Sequence, residues 1–330
     1  MRVTLGSQFI GFDRHLDRLN TAKNKSQVKI STGKEVVTLA DDPEKVVDVR
    51  KFDKRILQNE QYIDILDMTI SELYMSTETL DTMGSLLEDI RLDAIDGINE
   101  RAQTLRVIGS KMEGYLDDLI QFANSDYQGH FLFSGTKTTS NSIENINDED
   151  GLTTPYELVR EDLTQDNPSG LRVVFHGNNE NRIINKSQST DEVINATQEE
   201  LFGANNEVFG LVIDLINLTR YNDDGELRGD EDVWSDDDMN KIDGIQQQMA
   251  QRIIQLNSKN GELGIKIDRL TNLRDQMADE RVRLRDYKSL REDVDIAEAM
   301  IDLKRQDAAL EYALQIGSRM IQTTLFDFIR

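Results

Sequence analysis

LGSQFIGFDRHLDRL (residues 5–19) and IAEAMIDLKRQDAALEYALQIGSRMIQTTLFDF (residues 296–328) carry the same kind of apolar seam at the two ends of the chain. In the first, Leu5, Phe9, Phe12, Leu16 and Leu19 follow one another at steps of four, three, four and three. In the second, Ile296, Met300, Leu303, Leu310, Leu314, Ile321 and Phe328 fall on one register, whose remaining positions are Asp307, Gly317 and Thr324. Such steps draw a narrow stripe along a helix, of the kind one helix presents to another. A short helix is marginal alone in water, whereas each large side chain on the stripe gains about 1.5 to 3 kcal/mol when buried. The two ends are therefore expected to pair with each other or with copies of themselves, and these residues form the candidate assembly surface. Asp307 interrupts the seam and needs a partner before a buried contact can be assigned to it.

Inward from the ends, Ile242, Met249, Leu256, Leu263, Leu270, Met277 and Leu284 stand at strict steps of seven. A repeat of seven over this length predicts left-handed supercoiling against a partner helix, along about 60 Å at about 1.5 Å per residue. Its companion positions are mixed: Ile245, Ile253, Ile267 and Leu273 are apolar, but Lys259 and Glu280 are charged. A bundle whose partners change along its length is expected, not a uniform two-stranded coil. Upstream, Ile63, Leu66, Ile70, Leu73, Thr77, Leu80, Gly84 and Leu87, then Leu105, Ile108, Met112, Tyr115, Leu119 and Phe122, predict an antiparallel helix pair turning near Gly97 to Arg101. Asp42 is placed to accept from the free amides of that pair's first turn, and Pro43 opens the helix without losing a bond.

Between about Thr136 and Ala204 the character changes. The turn clusters Asn167-Pro168-Ser169-Gly170 and Gly177-Asn178-Asn179 flank the strand-like runs Arg172 to His176 and Arg182 to Ile184, and helical spacing returns at Val208, Leu211, Val212, Leu215 and Leu218. The fold class expected is mainly α: an elongated coiled-coil or helical-bundle rod built from both chain ends, with a small β-rich domain inserted midway. Its parts are a terminal helical coiled-coil domain (1–40 with 290–330), a helical rod domain (41–135 with 205–289) and the β-rich insert (136–204).

Of the 330 residues, 38% are hydrophobic and 30% charged, which favours long helices with thin seams over a thick globular interior. The only prolines are Pro43, Pro155 and Pro168, so none breaks a helix beyond residue 168. A net charge of -24 repels nucleic-acid phosphates and anionic lipid. Absence of cysteine excludes disulfides, thiolate metal sites and thiol nucleophiles. The amino terminus has no basic region followed by an apolar run, and no stretch approaches the length that spans a bilayer. This composition suits a cytoplasmic chain and equally one exported without a cleaved signal.

Little in the sequence points to catalysis. His15, His130 and His176 lie in separate segments without a second histidine at metal-ligand spacing. No nucleophile elbow, phosphate-cradling glycine loop or dinucleotide fingerprint is present. The tract 223–238 holds nine carboxylates and one arginine. With Gly229 at the sixth position of a calcium loop, Asp224 and Glu226 fall first and third, but Arg228 falls fifth and Ser235 twelfth, where carboxylates are required. The tract is instead expected to be a loop capped by Ser235, with Asp236, Asp237 and Asp238 in the positively polarised first turn of a helix. No catalytic residue, cofactor or metal is expected, and a lectin-like or enzymatic insert has only its β composition behind it.

Three stretches carry a further signal. Residues 26–43, SQVKISTGKEVVTLADDP, resemble the segment joining the first two amino-terminal helices of flagellin-type proteins. GHFLFSGTK (129–137), with the Asp-Asp-Pro just named, resembles the hook-associated branch of that family more than filament flagellin. The segment from Asp293 to Arg330, with Asp295, Ala297, Glu298, Ala299, Leu303 and Gln306 ahead of a close in LeuPheAspPheIleArg, resembles the family's carboxyl-terminal helix. The resemblance covers both ends and the rod but not the insert. It implies a structural subunit whose terminal helices pack into the inner tube of the bacterial flagellum, adapting hook to filament as a ring. It further implies as partners other copies of itself, a neighbouring hook-associated protein and flagellin. Before assembly it implies a flagellar export chaperone and the export apparatus, which delivers the chain unfolded; neither nucleic acid nor membrane insertion is implied. The alternatives are filament flagellin, which shares these ends, and a cytoplasmic coiled-coil scaffold whose termini dimerise.

Overall fold

The computed structural model describes residues 5–98, 102–143, 154–165, 167–187, 190–222, 224–229 and 234–328. Seven α-helices are described: α1 (Leu5–Thr32), α2 (Pro43–Ile98), α3 (Ala102–Ala123), α4 (Gln198–Phe202), α5 (Glu207–Arg220), α6 (Asp236–Glu292) and α7 (Ile296–Phe328). The strands are β1 (Asp126–Tyr127), β2 (His130–Phe131), β3 (Tyr156–Arg160), β4 (Leu171–Phe175), β5 (Ile183–Ser187) and β6 (Thr190–Val193). They pair antiparallel as β1–β2, β3–β4 and β5–β6. The chain divides into two compact units, residues 1–61 with 277–330 and residues 62–276. It is mainly α, with the chain-end helices packed together and a small β-containing region midway.

In the larger unit the heptad residues of α6, Ile242, Met249, Leu256, Leu263 and Leu270, are all buried. Facing them from α2 are Ile63, Leu66, Ile70, Leu73, Leu80 and Leu87, also buried. The two helices run antiparallel: Asp67 pairs with Arg274 at 3.2 Å, while a Cβ on Gly84 would meet Asn257 at 3.1 Å and Leu256 at 3.5 Å. Gly84 thus sits in the apolar register because a larger side chain would hold the helices apart. Lys259, the charged interruption of the α6 seam, reaches Glu200 of α4 and Glu262, each at 2.8 Å. The α6 seam itself keeps α2 as its partner on either side of Lys259, from Leu256 against Gly84 to Arg274 against Asp67. Helix α3 returns along α2, with Tyr115 donating to Asp93 at 2.7 Å; of the residues expected at the turn, Gly97 to Arg101, Gly97 and Ile98 still belong to α2, and 99–101 lie outside those described.

The β region is built around Tyr156, whose ring meets Phe175, Phe202 and Phe209 at centroid separations of 4.9, 5.2 and 5.6 Å. Its hydroxyl donates to the Phe133 carbonyl at 3.1 Å. Asn124, just past α3, accepts from the Tyr156 amide and donates to the Tyr156 carbonyl, both at 2.8 Å, so one amide side chain satisfies both backbone groups. GHFLFSGTK acquires a structural role here. Gln128 and Gly129, at φ 53° and 80°, make the two-residue turn between β1 and β2, and Leu132, Phe133 and Ser134 are buried behind it. At Gly135 (φ 70°) a Cβ would lie 2.0 Å from the Asn178 carbonyl oxygen. Asn178 in turn accepts from the Thr136 amide at 2.8 Å and donates its own amide to Ser134 at 3.1 Å. The GHFLFSGTK stretch clasps the Gly177-Asn178-Asn179 turn.

The acidic tract is organised by Arg228. Ser235 caps α6, accepting from the Asp238 amide at 3.0 Å, while Asp238 accepts from the Ser235 amide at 3.0 Å. Arg228 reaches the same Asp238 oxygen at 2.8 Å with both side chains buried, donates to the Leu218 carbonyl at 3.0 Å and lies 5.2 Å from the Trp234 ring centroid. Burial pushes the Asp238 carboxyl up, but the Ser235 amide and the Arg228 guanidinium outweigh it and hold it below its ordinary value. The residue that fails at the fifth position of a calcium loop is therefore the counter-ion that lets the tract fold. Residues 223 and 230–233 of the tract lie outside those described.

Removing one partner of such a buried pair strands the other, so Arg228→Ala is expected to cost about 3 kcal/mol or more. Urea unfolding followed by fluorescence of Trp234, the chain's one tryptophan, measures it. Asn124→Ala, which leaves the Tyr156 amide unpaired, is expected to cost about 2 kcal/mol in the same assay.

Candidate assembly site at the crossing of the chain ends

Two short connectors cross in the smaller unit. Gly33, at φ 68°, ends α1 and accepts from the Val294 amide at 3.0 Å, while the Glu35 amide donates to the Glu292 carbonyl at 2.7 Å. Lys34 and Asp293 form an antiparallel bridge between them, and the Lys34 ammonium pairs with the Glu292 carboxylate. The backbone groups freed where α1 and α6 end thus satisfy one another.

Three aspartates of the Asp-Asp-Pro and Asp-Val-Asp stretches divide two tasks. Asp42 accepts from the Glu44 and Lys45 amides, both at 3.1 Å, and so caps α2, which Pro43 opens. Asp295 does the same for α7 through the Ala297 and Glu298 amides, at 2.9 and 3.1 Å. Asp41 faces the other way: it binds Lys25 of α1 at 2.9 Å and accepts from the Thr38 amide and hydroxyl at 2.9 and 2.8 Å. The Lys25 ammonium and both Thr38 donors hold the Asp41 carboxyl far below the usual carboxylate range. The connector is clipped to the helix it leaves while capping the helix it enters.

This crossing sends α1 and α7 back along each other as an antiparallel pair. Phe12 packs on Gly317, where a Cβ would lie 2.3 Å from the ring, and Lys23 pairs with Asp307 at 2.8 Å. The interruption in the carboxyl-terminal seam is a salt-bridged position. Of the candidate assembly residues, Phe12, Leu16, Leu19, Leu303 and Leu310 are half-buried. Phe9, Ile296, Met300 and Leu314 stay exposed, at 39%, 44%, 53% and 54%. Helix α7 turns Ala299, Ala313 and Gly317 inward instead; the seven-step seam did not single out the two alanines, and only the choice of partner exposes their role. The side chains of Leu5, Ile321 and Phe328 lie outside those described.

Elsewhere the chemistry is quiet. A cavity of about 640 Å³ in the β region is lined by Asn179, Gln198 and Asn206 among others, but these amides bond one another and the backbone. Gln198 donates to Asn206 at 2.9 Å and Asn206 to the Val173 carbonyl at 3.0 Å. His176 lies 2.9 Å from Glu157 and His130 3.2 Å from Thr138, while His15 is exposed. Among the described residues no three metal-ligating side chains converge, and no helix is long and apolar enough to cross a membrane.

Residues 12–138 match the family model of the bacterial flagellin N-terminal helical region. No curated protein matches the chain. Solved structures of the same fold include a putative flagellar hook-associated protein from Vibrio parahaemolyticus, 18% identical, with a TM-score of 0.58 over 76% of this chain and 99% of that one. FlgL of Xanthomonas campestris is similar at 12% identity and TM-score 0.51, covering 71% and 97% of the two chains. FlgL of Bacillus cereus is similar at 14% identity and TM-score 0.50, covering 73% and 99%.

A carboxylate held low stabilises the folded chain above its unfolded pKa, near 4, and that contribution fades as pH falls further toward its folded value. Asp41→Asn is therefore expected to lower the thermal midpoint at neutral pH, with the gap to the parent narrowing below about pH 4. Calorimetry across that range checks it; a gap that stayed constant into strong acid would contradict the ionic role.

Proposed function

We infer that this chain, which carries the N-terminal helical region of bacterial flagellins, is a structural subunit of the flagellum placed at the junction between hook and filament. The observation that carries this reading is the combination of that region with a terminal helix pair whose apolar surface a single chain leaves partly uncovered. About half of Ile296, Met300 and Leu314 faces solvent, and each large side chain gains about 1.5 to 3 kcal/mol on full burial. Such a surface calls for neighbours.

In this reading those neighbours are other copies of the chain, together with hook and filament proteins. The assembly surface is Leu5, Phe9, Phe12, Leu16 and Leu19 with Ile296, Met300, Leu303, Leu310, Leu314, Ile321 and Phe328. The chain reaches the flagellum unfolded through the export channel, escorted by a chaperone, and acts without catalysis. Filament flagellin is the second reading, because the matched N-terminal region is common to both. The GHFLFSGTK clasp onto a modest β insert favours the junction.

Deleting the gene separates the two readings. Electron microscopy is expected to show bare hooks, and the culture medium to contain intact flagellin that finds no foundation. Bare hooks with no flagellin in the medium would mark the filament subunit, and normal filaments would sink both.

A further inference from the structure

The amides of the β-region cavity are spent on one another, but its carboxylates are not. The cavity, of about 640 Å³, has walls on β4 (Val173 and Phe175), α4 (Glu199) and α5 (Ile213 and Asp214). Among the described residues no hydrogen bond or ion pair reaches the carboxylates of Asp214 and Glu199, or the side chain of Asn205, which also lines the cavity. Arg172, the arginine of the lining, is already paired with Glu161. Two negative charges are therefore left without a counter-ion. Water reaches Asp214, which is exposed, yet the walls around its carboxyl strip away part of the solvent and push it up from its ordinary value.

Gly210 keeps this space open. It stands four residues before Asp214 on α5, so the two share one helix face, and both line the cavity. Glycine is a poor helix former, and elsewhere the fold explains it: a Cβ on Gly84 or Gly109 would strike a neighbouring side chain. On Gly210 a Cβ would meet nothing within 4 Å. No close helix contact requires the glycine; its effect is to deepen the cavity beside Asp214.

The apolar part of the wall decides the ligand's chemistry. A hydrated metal ion gains nothing from Val173, Phe175 and Ile213, and among the described residues no three metal-ligating side chains converge. A neutral sugar would cover the carboxylates without neutralising them, at a cost in desolvation. An aliphatic diamine meets both demands: its ammonium groups donate charge-assisted hydrogen bonds to carboxylates, and its methylene chain lies on the apolar wall as the stem of a lysine would. We propose that this cavity binds an aliphatic diamine or polyamine, with one ammonium on Asp214, a second on Glu199 and the Asn205 side-chain oxygen as a further acceptor. The bonded amides hold the walls in place before the ligand arrives, and a net charge of -24 draws such cations to the chain. This site is independent of the flagellar-subunit reading.

Isothermal calorimetry of the purified full chain with putrescine tests it. One equivalent of putrescine is expected to bind, and butylamine, which has a single ammonium, to bind about tenfold more weakly, because one charge-assisted bond is lost. Asp214→Asn and Glu199→Gln are each expected to weaken putrescine about tenfold, and Asp118→Asn, at an exposed carboxylate of α3, to leave it unchanged. An acidic chain also attracts amines without a site, so the deciding variant is Gly210→Leu, which removes no charge, fills the space beside Asp214 and raises helix propensity. It is expected to abolish the saturable uptake without lowering the thermal midpoint. Equal uptake by Gly210→Leu and the parent would make the amine a diffuse counter-ion and overturn the site. Absence of saturable uptake by the parent, or butylamine binding as tightly as putrescine, would overturn it too.

Discussion

A helix with one narrow apolar stripe cannot hide that stripe by itself, and every long helix of this chain has one. Burial must come from a second helix lying alongside, so the fold is a set of pairings between distant segments. The heptad residues of α6 are covered by the buried residues of α2, and α1 is covered by α7. With 30% of the chain charged, the surfaces left outside stay in water without cost.

Those pairings hold only if the connectors between helices are fixed, and polar groups do that work. At the crossing of residues 33–35 with 292–294, backbone bonds and the Lys34–Glu292 pair secure two helix ends at once. Asp41, Asp42 and Asp295 convert a small run of acidic residues into one clip and two caps. In the β region Asn124 and Asn178 play the corresponding part, each satisfying backbone groups that a tight turn would otherwise leave unpaired. Even the acidic tract is held by one buried arginine. The apolar stripes supply most of the stabilisation, and these few polar side chains decide where the chain turns.

The helix pair at the chain ends departs from this economy. Its inward positions are taken by Ala299, Ala313 and Gly317, while Ile296, Met300 and Leu314 remain outside. Small residues let the helices approach closely, at the expense of leaving large side chains in water. In the single chain that arrangement leaves Ile296, Met300 and Leu314 uncovered, which is the observation behind the proposed assembly surface.

Much of this was legible in the sequence. Heptad spacing is a local property of the chain, and so is a cap such as Asp42 ahead of Pro43 or Ser235 ahead of three aspartates; each acts within one or two helical turns. The stripes therefore announced the helices and their inward faces, from Ile242 to Leu270 and from Ile63 to Leu87. What the sequence could not say is which stripe meets which, because a stripe specifies a partner's shape and not its identity. The salt bridge of Asp307 with Lys23, the clasp of Gly135 on Asn178 and the pairing of Arg228 with Asp238 join residues whose relation exists only after the chain has folded. The same holds for the division of the carboxyl-terminal seam into a covered half and an open one. Periodicity marks a face about as wide as two contacts, and only the tertiary structure decides which of its side chains are covered within the chain and which stay in water.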